Sequence, residues 1–307
     1  MCFTQNFWDL FIGGLANGFV YALVALGYTL VYGILQLINF AHSEVFMSGG
    51  FAGYFVADAL AGGSHPRGMS ELGLAVVGIV AGALAGGGVA YLLERVAYKP
   101  LRRRHAPKLA FLISAIGASF FIYNLAGKEF GRQAVEIPLQ FTGTVFTIFG
   151  APVLSYDILI AVVAVLMLLF LDRVIALTKL GRGIRAVAQD AETASLMGVN
   201  IDRVISQAFV LGGLLGGAAG FLFGISAGVV YTMGYTPALK AFTAAVLGGI
   251  GNIRGAVLGG LLLGVTENLP SGCIGASWRD VISFGVLVFI LLVRPTGLLG
   301  ESLGRSA

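Results

Sequence analysis

Long uncharged apolar runs, separated by short polar segments, dominate the sequence. A helix needs about 17–25 apolar residues to cross a hydrocarbon core of about 30 Å, and several runs approach or reach that length. The predicted spans cover residues 10–35, 45–60, 72–93, 109–126, 156–171, 204–223 and 281–293. This pattern predicts an all-α polytopic membrane protein.

Two shorter apolar pieces, residues 241–250 and 256–265, precede the last span. Ten helical residues reach about 15 Å, which is half of the hydrocarbon core. Irregular backbone is tolerated at membrane depth only where protein or water covers it, and such breaks often line a translocation pathway. We expect either a broken, re-entrant segment around Gly248, Gly249 and Gly251 or two short tilted helices, giving about eight transmembrane helices in total.

The composition supports a membrane location. Hydrophobic residues make up 57% of the chain and charged residues 11%, whereas soluble domains carry about 25% charged residues. So few charged residues do not suffice for the surface of a large soluble domain. They also do not provide the basic soluble surface that nucleic-acid binding requires. We expect residues 1–307 to form a single transmembrane domain.

Glycines recur at four-residue spacing in three parts of the chain. This spacing places them on one helix face and lets neighbouring backbones approach closely. We therefore expect helix packing rich in glycine contacts. The three sets are Gly78, Gly82 and Gly86; Gly212, Gly216, Gly220 and Gly224; and Gly251, Gly255 and Gly259.

The distribution of Lys and Arg predicts the orientation of the spans. Loops 95–108 and 173–203 together hold 11 of the 19 basic residues, whereas the loop between them, 127–155, holds only two. Because short cytoplasmic loops are enriched in Lys and Arg, we place the two basic loops in the cytoplasm and residues 127–155 outside. Helix parity then places Arg67 outside, Arg294 inside and the N-terminus outside.

The loop 173–203 is the longest polar stretch on the predicted cytoplasmic side. Gly198 followed by Asn200 is typical of a helix end, so a short amphipathic helix is predicted before it. Such a helix suits either a membrane surface or the groove of a partner protein, and the acidic residues Asp190 and Glu192 favour the partner. Apolar residues recur on one face of this helix, namely Ile184, Val187, Ala188, Ala191 and Ala194.

Residues 36–46, QLINFAHSEVF, place Asn39, His42 and Glu44 between two uncharged apolar runs. The first span ends here on the predicted cytoplasmic side, so the simplest interpretation is a polar turn at the membrane interface, with Asn39 or Ser43 capping the next helix. Alternatively these groups form a gate, since ionisable groups inside membranes usually face a pathway. A hydrolytic Ser–His–Glu set is disfavoured, because adjacent Ser43 and His42 have poor geometry for proton transfer.

Glu267 raises a similar question near the predicted outer end of the late broken segment. It either faces an outer vestibule, as an intramembrane ionisable group would, or caps a helix end in water. Lys240 and Arg254 are open to the same two interpretations.

Four stretches resemble permeases of ABC importers. Residues 192–198, ETASLMG, are similar to the E-A-A-x-x-x-G loop of that family, with Thr193 in place of Ala and without the later I-x-L-P part. Residues 38–44, INFAHSE, resemble the I-N-F-A-H-G-E segment of branched-chain amino-acid permeases, with Ser in place of Gly. Residues 242–251 resemble the late broken segment of those permeases, and residues 294–300, RPTGLLG, resemble their R-P-x-G-L-[LF]-G ending. The resemblance is closest to the H-type subunit.

The resemblance implies a permease subunit of an ABC importer for branched-chain or related amino acids in a bacterial inner membrane, and not an enzyme. Such permeases pair with a second, related permease, two cytoplasmic ATPase subunits and an extracytoplasmic substrate-binding protein. The chain contains no G-x-x-x-x-G-K-[ST], so no cofactor is expected on it and ATP would be bound by the partners. Anionic lipids are expected to contact residues 102–104.

The expected site residues fall into two sets. The coupling loop, about residues 173–203, would dock on the ATPases through Arg182, Arg185, Asp190, Glu192, Ala194 and Gly198. The candidate gate or pathway residues are Asn39, His42, Glu44, Gly248, Gly249, Gly251 and Glu267.

Three other functions are open at this point. ABC permeases for urea, short amides or polar amino acids share this architecture, so the sequence leaves the substrate open. It also leaves open whether the pore is a homodimer or a heterodimer. An ion-coupled secondary transporter needs buried carboxylates at mid-membrane, and only Glu44, Asp58 and Glu267 come close. An intramembrane hydrolase needs a Ser–His or Asp–Asp pair within spans, which the sequence does not show.

Overall fold

The computed structural model describes residues 2–37, 39–63, 68–139, 141, 143–294 and 296–300, with side chains from Phe7 onward. The predicted outside position of Arg67 and the motif residues Ile38 and Pro295 lie outside the described residues. Helices dominate the described residues, so the predicted all-α class is confirmed. These helices are α1 Cys2–Leu35, α2 His42–Ala61, α3 Met69–Leu93, α4 Lys99–Arg103, α5 Lys108–Glu129, α6 Ser155–Leu177, α7 Lys179–Gln189, α8 Ala191–Leu196, α9 Ile201–Ala227, α10 Tyr235–Gly248, α11 Ile253–Ile274 and α12 Arg279–Val293.

Shorter elements complete the fold. A π-helix, Glu94–Tyr98, joins α3 to α4, and a 3-10 helix, Ala276–Trp278, precedes α12. Two strands, β1 Thr144–Ile148 and β2 Ala151–Leu154, form an antiparallel hairpin. The hairpin lies in the loop that the charge pattern predicts to be outside.

Seven helical stretches are long and apolar enough to cross a membrane, which confirms the polytopic prediction. Among the described residues, α2 does not meet this criterion, because His42, Glu44 and Asp58 lower its mean hydropathy. The seven stretches are Phe7–Leu35, Met69–Arg103, Lys108–Glu129, Ser155–Leu177, Ile201–Ala227, Ile253–Ile274 and Ala276–Val293.

The late broken segment is asymmetric. Helix α10 has 14 residues, or about 21 Å of helix, and is short as predicted. Helix α11 has 22 residues and continues through Glu267 and Pro270, so the prediction that residues 256–265 are too short to cross was wrong. Glu267 and Pro270 suggest the end of an apolar piece, but in the structure Glu267 is buried within α11 and has side-chain partners.

The chain divides into two compact units. One, here the α11 unit, comprises Met1–Thr29, Phe141–Val165 and Leu239–Ala307; the other, here the α9 unit, comprises Leu30–Gln140 and Leu166–Ala238.

Glycines bring α2, α3 and α9 into backbone contact in the α9 unit. A Cβ on Gly82 would lie 2.8 Å from the Gly49 carbonyl oxygen, and a Cβ on Gly86 would lie 2.7 Å from the Gly217 Cα. Real Cβ atoms do not approach other atoms so closely, so these positions require glycine. The predicted glycine faces on α3 and α9 therefore form the centre of this helix packing.

The α11 unit is assembled in the same way, with α1 and α11 antiparallel. A Cβ on Gly18 would lie 2.8 Å from the Leu261 Cα, and a Cβ on Gly260 would lie 2.6 Å from the Ala22 amide nitrogen. Gly259 meets the backbone of α10 and leaves no room for a side chain. Small residues thus set the separation between these helices.

Candidate functional site

The segment between α6 and α9 folds into two short helices instead of a single amphipathic one. Thr178 begins α7, because its Oγ1 accepts a hydrogen bond from the Gly181 amide (3.1 Å). Gly181 packs against the Ile175 backbone, where a side chain would clash. The Arg185 guanidinium donates a hydrogen bond to the Ile175 carbonyl oxygen. These contacts hold α7 against the end of α6.

Asp190 causes the break between α7 and α8. Its backbone is extended, with φ −156° and ψ 108°, and its Oδ1 accepts hydrogen bonds from the amides of Glu192 (2.9 Å) and Thr193 (3.2 Å), as an N-cap does. Hydrogen bonding by the Thr193 hydroxyl, followed by the backbone amides, lowers the pKa of the Asp190 carboxyl. A charged cap therefore starts a new helix inside the predicted coupling loop.

The apolar face predicted for this loop is partly confirmed. Ile184, Val187 and Ala194 are buried in one cluster with the start of α9. Ala191 is exposed, so its predicted place on the buried face was wrong, because the break at Asp190 shifts the helical phase.

Two large apolar side chains project from the end of α8. Leu196 is 84% exposed and Met197 is 81% exposed. Gly198 then adopts a φ of 85° and ends the helix, and Asn200 caps α9 by accepting a hydrogen bond from a backbone amide of its first turn (3.0 Å). We call Glu192, Leu196 and Met197 the α8 tip. The sequence pattern did not single out the two apolar members, although a Leu–Met pair directly before a helix-ending glycine was the available signal.

The predicted coupling residues therefore take different positions. Ala194 is buried, while Asp190 and Gly198 shape the two ends of α8. Arg182 and Glu192 are exposed, so their side chains are available to a partner.

A buried ion network lies beside the coupling loop and was not predicted. Glu94, at the start of the π-helix, has no exposed surface; it pairs with Arg102 Nη2 (2.8 Å) and accepts a hydrogen bond from the Ser206 hydroxyl (2.6 Å). Arg102 Nη2 also lies 2.7 Å from Asp202 Oδ1. Since a buried carboxylate needs such partners, the network connects the end of α3 to the first turns of α9. The sequence alone indicated a topology signal and anionic-lipid contacts at Arg102, and no ion pair.

The polar junction between α1 and α2 is buried. Asn39 and His42 are each 2% exposed. The Tyr98 hydroxyl donates to Asn39 Oδ1 (2.9 Å), which also accepts the Ala41 amide (3.1 Å). A Cβ on Gly216 would lie 3.1 Å from His42 Nε2, so the imidazole packs directly on α9. Asn39 thus stabilises the turn that leads into α2.

Glu44 is buried and contacts the middle of helix α5. Its Oε1 accepts hydrogen bonds from the hydroxyls of Ser43 (3.0 Å) and Ser119 (3.0 Å), and Ser119 lies in the middle of α5. The predicted polar turn between α1 and α2 is present, and its position at the membrane interface stays a prediction. The Ser43 hydroxyl contacts Glu44 and the Phe40 carbonyl (2.9 Å), an arrangement that does not form a nucleophile with His42.

The predicted glycines Gly248, Gly249 and Gly251 lie at the turn between α10 and α11. Gly249 and Gly251 adopt φ values of 103° and 98°, which glycine tolerates. Residues 296–300 cover this turn: two of their amides donate to the last carbonyls of α10 (2.8 and 3.0 Å), and Asn252 Nδ2 donates to a carbonyl oxygen of the same residues (2.9 Å). The chain end thereby satisfies carbonyls that the end of α10 leaves open.

Glu267 is enclosed in the α11 unit and is 1% exposed. Its Oε1 accepts the Tyr21 hydroxyl (2.8 Å) and its Oε2 accepts the Ser283 hydroxyl (2.5 Å). Lys240 Nζ lies 3.0 Å from Glu267 Oε2 and 3.0 Å from Asp280 Oδ1. The interpretation of Glu267 as a helix cap in water was therefore wrong.

The predicted gate or pathway residues form separate groups. Asn39, His42 and Glu44 come together in the α9 unit. In the α11 unit, Glu267 lies about 20 Å along α11 from the glycine turn. Among the described residues, no group of three His, Cys, Asp or Glu side chains is arranged to hold a metal ion.

Comparison with known proteins agrees with the sequence motifs. Residues 10–291 match the family described as "Branched-chain amino acid transport system / permease component". The chain is 41% identical over 293 residues to the high-affinity branched-chain amino acid transport system permease protein LivH of Escherichia coli K12, with 94% of each chain covered. It is 41% identical over 298 residues to BraD of Pseudomonas aeruginosa, again with 94% of each covered. No solved structure matches the chain.

These relatives and the seven apolar helices identify a multi-pass protein of the bacterial inner membrane that acts as a transport permease and not as an enzyme. The matches cover nearly the full length of the chain. The chain therefore belongs to the family of permease components of branched-chain amino acid transport systems.

Proposed function

We propose that this chain is one membrane subunit of an ABC importer that moves branched-chain or related amino acids inward, driven by ATP hydrolysis on partner subunits. Its partners would be a second, related permease, two cytoplasmic ATPase subunits and an extracytoplasmic substrate-binding protein. The family assignment supports the substrate class. The observation that carries the ATP-driven mechanism is the exposed α8 tip at the centre of the predicted cytoplasmic loop.

The α8 tip has the properties of a small knob for a partner's groove. Leu196 and Met197 are more than four-fifths exposed, and exposed apolar groups at an ordered helix end gain free energy when a partner covers them. Glu192 precedes Leu196 by four residues, so the two share one helix face. A lipid surface suits this tip poorly, because its charged member is acidic.

Rigid contacts connect the α8 tip to a membrane helix. Ala194, on the opposite side of α8, is packed in the cluster that includes Ile184, Val187 and α9 residues. A displacement of α8 by an ATPase would therefore push on α9. The ion network of Glu94 and Arg102 at the start of α9 would carry the same displacement to α3.

The junction between α1 and α2 is our candidate gate. Asn39 lies in the turn between α1 and α2, and His42 and Glu44 lie in the first turn of α2; all three are buried. Ionisable groups inside membranes usually serve a pathway. Glu44 is held by two hydroxyls, which exchange partners more easily than an ion pair. Glu267 is instead neutralised by Lys240, so we assign it a structural role.

Buried carboxylates at Glu44 and Glu267 are also what an ion-coupled transporter requires. The family match and the α8 tip favour ATP coupling, because an ion-coupled carrier has no use for a cytoplasmic docking knob. Uptake measurements with a panel of leucine, glutamine and urea separate the branched-chain assignment from the polar amino-acid and amide alternatives.

Co-purification with the ATPase subunits tests this proposal. We would replace Leu196 and Met197 with Asp and compare the result with Val145→Asp/Phe146→Asp, which places the same charges on exposed apolar residues of β1. The first variant is expected to lose the ATPases while still inserting into the membrane, and the second is expected to retain them. Equal retention by both variants would show that the α8 tip does not dock an ATPase.

A further inference from the structure

A groove of about 600 Å³ lies where residues 91–103, the end of α3 with the π-helix and α4, meet the start of α9. It has one carboxylate, Asp202, which lies 3.5 Å from Lys99 Nζ and 3.8 Å from Arg103 Nε. This carboxylate also pairs with Arg102 from outside the lining. The lining therefore has an excess of positive charge, since its cationic residues are Arg95, Lys99, Arg103 and Arg203.

Two of these cations have no role in the ion network. Arg95 and Arg203 are exposed, and neither forms an ion pair within the part of the chain that the structure describes. Two guanidinium groups held at one groove without acidic partners are suited to a phosphate, which accepts their planar, bidentate hydrogen bonds.

The groove also has an apolar side. Tyr91, Val210 and Leu211 line it, and Leu92 and Val96 are 58% and 73% exposed on neighbouring turns of the same stretch. The stretch Met69–Arg103 is long and apolar enough to span the membrane. Cationic and exposed apolar surfaces therefore meet at one place, at the membrane end that the positive-inside pattern assigns to the cytoplasm.

We propose that this groove binds the headgroup phosphate of an anionic phospholipid of the cytoplasmic leaflet. The phosphate would lie against Arg95 and Arg203, and the acyl chains would follow the exposed apolar residues beside Tyr91. Basic pockets between transmembrane helices on the cytoplasmic side are suited to such headgroups. A soluble phosphate would gain nothing from the apolar side, so we assign the site to a lipid.

Native mass spectrometry of the purified full chain tests the site with phosphatidylglycerol and phosphatidylcholine at equal concentration. The test variant is Arg95→Gln/Arg203→Gln, which leaves the pairs of Glu94 and Asp202 intact. The matched control is Lys108→Gln/Arg173→Gln, which removes the same charge from exposed residues outside the groove. Each of the two groove cations would contribute about a fivefold change in anionic-lipid affinity, so the test variant is expected to bind phosphatidylglycerol about 25-fold more weakly.

We expect wild type and control to retain phosphatidylglycerol in preference to phosphatidylcholine, even with excess inorganic phosphate present. Equal loss in the two variants would mean a diffuse charge effect and would overturn the proposal, as would equal binding of the two lipids by wild type. Displacement by inorganic phosphate would show a soluble-anion site instead. If the test variant bound lipid as wild type does but lost the ATPase subunits in a separate co-purification, the groove would contact protein and the proposal would be overturned.

Discussion

The ion pair between Lys240 and Glu267 provides a quantitative test of the packing in the α11 unit. The perturbation is Lys240→Met, which removes the cation 3.0 Å from a carboxylate that is 1% exposed. Removing one partner of a buried pair costs about 3–5 kcal/mol, because the remaining charge is uncompensated. Hydrogen bonds from Tyr21 and Ser283 remain, so we expect the lower end, about 3 kcal/mol.

The reverse substitution should cost less. In Glu267→Gln, Lys240 keeps Asp280 at 3.0 Å, and the Asp280 side chain is 59% exposed, so water reaches the remaining pair. We expect a loss of about 1–2 kcal/mol. The double variant should lose about 2 kcal/mol less than the sum of the single losses, since removing both charges avoids the unpaired state.

The assay is reversible unfolding of the purified chain in mixed micelles, followed as a free energy of unfolding. Arg254→Met is the control, because Arg254 is an exposed cation of the same unit and should change stability by less than about 0.5 kcal/mol. A Lys240→Met variant as stable as this control would refute the reasoning, as would additive losses in the double variant.

Three further substitutions test other parts of the structure. Gly217→Ala introduces a Cβ that overlaps the backbone of α3 and should cost about 1–3 kcal/mol or more by overpacking, measured by the same unfolding assay. Ala194→Glu places a charge in the cluster beneath α8 and should lower ATPase co-purification at least tenfold, whereas Ala191→Glu, at an exposed position, should leave it unchanged. Glu44→Gln keeps acceptors for the Ser119 hydroxyl but removes the charge; we expect uptake to fall at least tenfold with normal subunit assembly, and unchanged uptake would rule out Glu44 as a gate group.

Local patterns in the sequence predicted most of the helices. Apolar runs and glycine spacing depend on near neighbours along the chain, so the spans and the glycine-mediated contacts of α3 and α9 were predictable. The helix end at Gly198 was predictable for the same reason, because glycine tolerates its φ of 85°.

Partners distant in the sequence account for most of what was not predicted. Glu267 continues α11 because Lys240 and Ser283 enclose it, and neither partner is visible from its local sequence. Glu44 meets Ser119, 75 residues away, at mid-helix level. Read alone, Glu267 looks like a helix end, whereas Glu44 does lie in the first turn of α2.

The two apolar members of the α8 tip, Leu196 and Met197, were missed for a different reason. Asp190 is polar at a predicted polar position, so the helical pattern gave no sign that its side chain would cap a second helix. Once that cap forms, the phase of the following residues changes, which exposes Ala191, while Ala194 stays buried as predicted. Exposure of Leu196 follows from the same break.

ATP-driven uptake by the reconstituted transporter tests the central claim most directly. The wild-type chain would be incorporated into proteoliposomes with its partner permease, ATPases and binding protein, with ATP inside or absent, and with or without an imposed proton or sodium gradient. We predict that labelled leucine accumulates only with ATP, and that Leu196→Asp/Met197→Asp abolishes this uptake. Accumulation driven by an ion gradient in the absence of ATP would contradict the account.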